Sequence, residues 1–280
     1  MKAHVNGFTM AYDDVGSGPA VVLIHGFPLC RHMWRQQAKA LVEAGYRAVL
    51  PDLRGFGESE TSDGPYAMSV FADDIIALLD HLGIEKAAVA GMSMGGYILL
   101  DLLEHYPRRV AAAGFIVTRA GADDEAGKVR RTKLAHAVQE TGPQVVTEAF
   151  ESVLFAEATS IRQPELVAEV REWMAGTSRK GLEGALLAMR DRQDYSGVLG
   201  AFDLPALVVR GEDDRLVPRS DAESLAKELP RATLCAIPGG GHLANLEQPD
   251  SFNRCLLRFL HKVLPPGTEG ASSATPDRRD

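Results

Sequence analysis

No stretch of the 280 residues is apolar for long enough to cross a bilayer. The longest runs, AVVLIHG (20–26) and KAAVAGM (86–92), fall far short of the roughly 20 residues that a spanning helix needs. The opening stretch, MKAHVNGFTMAYDDVG, lacks the apolar core of a secretory signal. Cysteine is scarce: Cys30, Cys235 and Cys255 are odd in number, show no metal or redox spacing, and are read as reduced thiols. Together these absences lead to the expectation of a cytoplasmic protein with no membrane partner. A cationic excess is missing as well, since the net charge of −8 argues against nucleic acid or an anionic lipid surface as partner. The zinc pattern His-x-Glu, paired CxxC and GxGxxG are all absent, so neither a metal nor a dinucleotide cofactor is expected.

What is present is an alternation. Val5-Asn6-Gly7-Phe8 reads as a hairpin turn between β-prone runs. AVVLIHG, bounded by turn residues, suits a strand buried on both faces. A helical pattern follows over 31–44, then a strand over 46–51, a helix over 69–82, a strand over 85–91, a helix over 93–105 and a strand over 110–117. The rhythm stops between 119 and 200, where dense charge and apolar residues at helical spacing replace the strands. It resumes with PALVVRG as a strand, a helix over 220–228, ATLCAIP as a strand and a helix over 251–263. Such alternation predicts an α/β fold, a mainly parallel sheet with helices on both faces. Its core is assigned to residues 1–118 and 201–264, with a helical insertion at 119–200. The tail 265–280 has a disordered composition.

Within this frame Gly91-Met92-Ser93-Met94-Gly95 has the form Gly-x-Ser-x-Gly and falls between a predicted strand and a predicted helix. That is where a nucleophile elbow belongs: small neighbours let the backbone turn sharply and let substrate approach the serine oxygen. A serine hydroxyl needs a base, and the base needs an acid to orient it. Both follow in the order serine, acid, histidine. His242 lies after three glycines in IPGGGHLANLEQP, past the last predicted strand. Asp213 and Asp214 lie past the strand before it; adjacent side chains cannot share one orientation, and Asp214 is preferred. His81, His105, His136 and His261 fall on predicted helices and are read as structural or solvated. An acyl transfer also needs oxyanion donors: the N–H of Met94, and one from the loop His25-Gly26-Phe27-Pro28, where proline has none to give and Phe27 is chosen. His25 is read as a structural hydrogen-bonding residue beneath that loop.

The segments HGFP, PDLRGFGES, GMSMGGY, GEDDRLVP and GGGHLANLEQPDSFN, in this order and spacing, resemble those of the α/β-hydrolase fold family over about Val5–Val263. The family's acid stands four residues before a proline in G-x-x-D-x-x-x-P; Gly211, Asp214 and Pro218 match that spacing. HGFPL, TRAGADDE, LAMRDRQDY and HLANLEQPDSFN are most similar to bacterial 3-oxoadipate enol-lactonase-like and carboxylesterase-like members. The resemblance implies an eight-stranded-type sheet, a helical cap over the site, and a serine hydrolase acting on a small-molecule ester or lactone. Cofactor-free perhydrolysis and a slow-turnover ligand receptor are the alternatives. Phe150, Leu154, Phe155, Trp173, Leu186, Leu187 and Met189 are candidates to line an acyl pocket. Arg190 and Arg192 are considered for a substrate carboxylate but read as solvated.

Overall fold

The computed structural model describes residues 1–64 and 66–266. The chain opens with the hairpin of β1 (Lys2–Val5) and β2 (Phe8–Val15), joined through Asn6 and Gly7 at φ 45° and 81°, as a two-residue type I′ turn requires. There follow β3 (Ala20–Ile24), α1 (Arg35–Glu43), β4 (Arg47–Pro51), α2 (Met68–His81), β5 (Ala87–Met92), α3 (Met94–His105) and β6 (Val110–Ile116). Five helices come next: α4 (Glu125–Thr141), α5 (Gln144–Leu154), α6 (Glu157–Arg162), α7 (Pro164–Ala175) and α8 (Arg179–Arg190). The chain returns to the sheet with β7 (Ala206–Gly211), α9 (Arg219–Glu228), β8 (Ala232–Ile237), α10 (Ala244–Glu247) and α11 (Pro249–Val263).

The eight strands form one sheet in the order β1-β2-β4-β3-β5-β6-β7-β8. Pairings β1–β2 and β2–β4 are antiparallel and the rest parallel. The sheet has a core on each face. Val22, Ile24 and Val89 point into one with Phe71 and Ile75 of α2 and Ile98 of α3, whereas Val21, Leu23, Ala88 and Ala90 point into the other with Leu41 of α1 and Phe252 and Leu256 of α11. Every residue of β3 and of β5 is buried, which is why these strands read as unbroken apolar runs.

Two expectations are adjusted and one is left untested. The helix expected from residue 31 begins as a 3₁₀ turn, Arg31–Trp34, before α1 proper. Cys235 and Cys255 are joined as a disulfide rather than held as thiols; β8 at the sheet edge and α11 over it bring their Cα atoms to 6.7 Å, and only buried Cys30 is free. The expected disordered tail lies, from residue 267, outside the described residues. Among the described residues no helix is long and apolar enough to cross a membrane, and no cluster of three or more His, Cys, Asp or Glu side chains is placed to hold a metal.

Candidate active site

Ser93 sits between β5 and α3 with φ 52° and ψ −109°, a conformation that costs a non-glycine residue and persists only when its surroundings impose it. Those surroundings are contacts a side chain would not allow. A Cβ on Gly91 would strike the carbonyl of Gly95, and one on Gly95 would lie 2.5 Å from the carbonyl oxygen of Ile24. The turn is pinned from the neighbouring strand: the Ser93 N–H donates to Ile116 at 2.9 Å, and Thr118 Oγ1 donates to the Ser93 carbonyl at 2.8 Å.

Asp214 and His242 come from the loops after β7 and β8, adjacent strands whose ends open on the same edge of the sheet. His242 Nδ1 lies 3.0 Å from Asp214 Oδ2 and 3.2 Å from Oδ1. An ionised carboxylate only accepts, so Nδ1 carries the proton and Nε2 is left as an acceptor. The Asp214 carboxylate also accepts from the N–H groups of Leu216 at 2.8 Å and Val217 at 3.2 Å. Burial works to raise its pKa, but His242 and these donors hold it below its ordinary value, and the carboxyl stays charged. Asp213 points away: it is exposed, and its N–H donates to Gly240.

The loop after β3 abuts the serine turn, since a Cβ on Gly26 would lie 3.4 Å from Ser93 Cβ. His25 locks that loop. Its Nδ1 meets the carbonyl of Gly26 at 2.9 Å and its Nε2 accepts from the Leu53 N–H at 3.0 Å, while burial lowers its pKa, so it is a neutral structural residue. Phe27 lines the cavity next to Ser93. Met94 opens α3, and the first N–H groups of a helix have no acceptor within it. In PDLRGFGES the charges serve structure: Arg54 forks onto buried Asp74 at 2.5 and 2.6 Å, and Asp52 accepts from Arg31 and the Glu58 N–H.

Ser93, His242 and Phe27 face a cavity of about 340 Å³. Its apolar wall includes Leu134 of α4, Phe150 of α5, Met189 of α8, and Leu216 and Val217 beside Asp214. Of the apolar residues singled out in the sequence, Phe150 and Met189 reach this cavity; Leu154, Phe155 and Leu186 are buried in the packing of the helices. The arginines differ from expectation. Arg190 pairs with the adjacent Asp191, and Arg192, far from being solvated, is buried. The cavity is instead lined by Arg119, Arg130 and Arg131, which sequence reading passed over.

One further residue escaped the sequence. Glu247, buried in α10, accepts from the N–H groups of Gly241 at 2.9 Å and Leu243 at 3.2 Å, the two neighbours of His242. Its other oxygen accepts from the Ala156 N–H at 2.8 Å and Thr159 Oγ1 at 2.6 Å, at the start of α6. An acid five residues after Gly-Gly-Gly-His, in an otherwise uncharged stretch, was the available signal.

The family described as alpha/beta hydrolase fold matches residues 19–249. The chain is similar to a thermophilic esterase from Thermogutta terrifontis, solved with malate bound, at 34% identity and a TM-score of 0.92, over 94% of this chain and 99% of that one. It is 29% identical over 238 residues to 3-oxoadipate enol-lactonase 2 of Acinetobacter baylyi, over 85% of this chain and 87% of the relative. A bromoperoxidase from Bacillus anthracis superposes with a TM-score of 0.83 at 27% identity, over 93% of this chain and 99% of that one.

Proposed function

The chain belongs to the alpha/beta-hydrolase fold family, and on that premise we propose that it is a serine hydrolase cleaving a carboxylic ester or lactone through an acyl-enzyme. The observation that carries this reading is the hydrogen-bonded Asp214–His242 pair facing the same cavity as Ser93, which is held in a strained turn. His242 Nε2 takes the proton of Ser93 as Oγ attacks the carbonyl carbon. The backbone N–H groups of Phe27 and Met94 receive the oxyanion, and His242 returns the proton to the leaving oxygen. Water, deprotonated by the same nitrogen, then attacks the acyl-enzyme and releases the acid and free Ser93. Asp214 holds the tautomer that makes Nε2 the base and stabilises the imidazolium. Helices α4–α8 act as a cap that closes the cavity over Ser93. The similarity to the thermophilic esterase and the enol-lactonase supports the reaction class.

Hydrolysis of p-nitrophenyl acetate and butyrate by wild type and Ser93→Ala tests the reading. Turnover is expected in the wild type, and its loss by several orders of magnitude in the variant. Equal rates in both proteins would overturn it. The likeness to a bromoperoxidase supports a second reading, in which peroxide replaces water at the acyl-enzyme; the same pair assayed with acetate and hydrogen peroxide addresses it.

A further inference from the structure

The cavity wall away from Ser93 is unlike the rest of this acidic chain. Its charged residues are three arginines, Arg119, Arg130 and Arg131, and one acid, Asp123. Asp123 is already committed. Its carboxylate takes Arg119 Nη2 at 2.8 Å, Arg131 Nε at 3.0 Å and, from behind the wall, Arg192 Nη2 at 2.9 Å. One negative charge thus serves three guanidinium groups, and the remaining acid in reach, Asp221, stands 3.8 Å from the outer side of Arg119. Arg130, one residue from Arg131 on α4, has no carboxylate within 4.0 Å among the described residues. Buried Arg192 is anchored by the carbonyls of Met189 and Gly121 and lies 4.2 Å over the ring of Tyr97, so the cluster is braced rather than loose. Arg119 Nε is buried with no hydrogen-bond partner. Apolar side chains of Leu134, Phe150 and Met189 complete the same cavity.

We infer that Arg119, Arg130 and Arg131 form an anion subsite, and that the substrate is a short ester or lactone carrying a carboxylate remote from the scissile carbonyl. This rests on the ester-hydrolase reading above. A half-ester of a small dicarboxylic acid has the required shape: a carbonyl at Ser93, a short methylene stem along the apolar wall and a carboxylate against the guanidinium groups. Planar guanidinium suits a carboxylate because two parallel N–H donors can meet its two oxygens, and the half-buried Arg119 and Arg131 are screened less than surface arginines. The cavity of about 340 Å³, near the lower end of the usual range for ligand pockets, sets a small size limit.

The test compares mono-p-nitrophenyl glutarate, which carries the remote carboxylate, with p-nitrophenyl pentanoate, which has the same number of acyl carbons and no charge. The ratio of their kcat/KM values at pH 7 and low salt is the readout. A ratio of about ten or more in favour of the anionic ester is expected in the wild type, falling toward one in Arg130→Gln and in the double variant R130Q/R131Q. Arg130 is exposed and unpaired, so Arg130→Gln is expected to fold, and its Tm checks this. A wild-type ratio of one or below, or a ratio unmoved in both variants, overturns the subsite. If the pentanoate is hydrolysed in a Ser93-dependent manner while that ratio fails, the hydrolase reading stands without the subsite. If neither ester is turned over, calorimetric binding of glutarate to the wild type and to Arg130→Gln decides the subsite by itself. Binding weakened about fivefold or more by the substitution supports it, and no binding at millimolar glutarate overturns it.

Discussion

Asp123 shows how one residue can matter to both stability and recognition. Burial raises its carboxyl, but hydrogen bonds and charge from Arg192 and Arg131 win, and its pKa falls from the ordinary 3.8 to about 2. The folded state therefore prefers the ionised form. The stabilisation is fully present above pH 3.8 and is lost as pH falls from 3.8 toward about 2. Its size is on the order of 2 kcal/mol. Asp123→Asn should melt below the wild type at pH 6, with the gap narrowing between pH 4 and pH 3. Asp101, raised to about 6 by burial, titrates in both proteins and cancels in the difference. A gap that stayed constant from pH 6 to pH 3 would mean that the arginines gain nothing from the Asp123 charge. At the same scale, an arginine in a cavity and an arginine in solvent look alike in a sequence. Arg190 and Arg192 stood out within LAMRDRQDY, whereas Arg119, Arg130 and Arg131 come together only when α4 and the strand end after β6 converge on one space.

Between elements, Glu247 joins the loop of His242 to the start of α6 through four donors, two on each carboxylate oxygen. Burial raises its carboxyl above the ordinary value even against those donors, which lower it. Gly241 fits this arrangement because a Cβ there would strike the Ala156 nitrogen and lie 2.8 Å from Glu247 Oε1. Glu247→Gln replaces one acceptor oxygen by an NH₂ group and leaves two buried donors without a partner, at a cost of about 1–3 kcal/mol. The expected outcome is a lower Tm together with a fall of about tenfold in kcat and a smaller change in KM, because the displaced group is the loop that carries His242, the base in the proposed mechanism. Unchanged kcat in the folded variant would show that the bond network holds the fold without positioning His242. The elements themselves were largely legible. Continuous apolar runs announce β3 and β5, Asn-Gly announces the first hairpin, and glycines crowd where Ser93 and His242 leave the strand ends. These are local signals, carried by residues within a few positions of each other. The Glu247 bridge spans 91 residues and the Cys235–Cys255 pair joins two elements 20 apart, and neither has a local signature.

At the scale of the whole molecule, the cavity is lined both by residues at the sheet's edge and by α4, α5 and α8, so the seam where these helices meet the loops of the sheet bears on its shape. Much of that seam is polar or backbone. Thr177 Oγ1 donates to the Pro28 carbonyl at 3.3 Å, Ser178 Oγ to the Gly55 carbonyl at 2.9 Å, and Lys180 pairs with Asp63. The closest approach is glycine on glycine: a Cβ on Gly181, at the start of α8, would overlap the backbone oxygen of Gly55, and one on Gly55 would come within 2.6 Å of the Gly181 Cα. Backbone cannot swing aside as a flexible side chain does, so Gly181→Ala must lift α8 from the loop. Helix α8 packs along α4, and these two helices carry Met189, Leu134, Arg130 and Arg131 to the cavity. The substitution is therefore expected to cost about 1–3 kcal/mol and to raise KM for p-nitrophenyl esters more than it lowers kcat, since Ser93, His242 and Asp214 stay on the sheet side. Gly197→Ala is the control: nothing lies within 4 Å of its added Cβ, and a compatible Gly→Ala change is neutral or slightly stabilising. If Gly181→Ala behaves like Gly197→Ala in both Tm and KM, the seam yields without strain and the cavity is shaped elsewhere. If Tm falls while KM holds, the seam contributes to stability alone, and the walls of the cavity keep their places through the packing of α4 on α8.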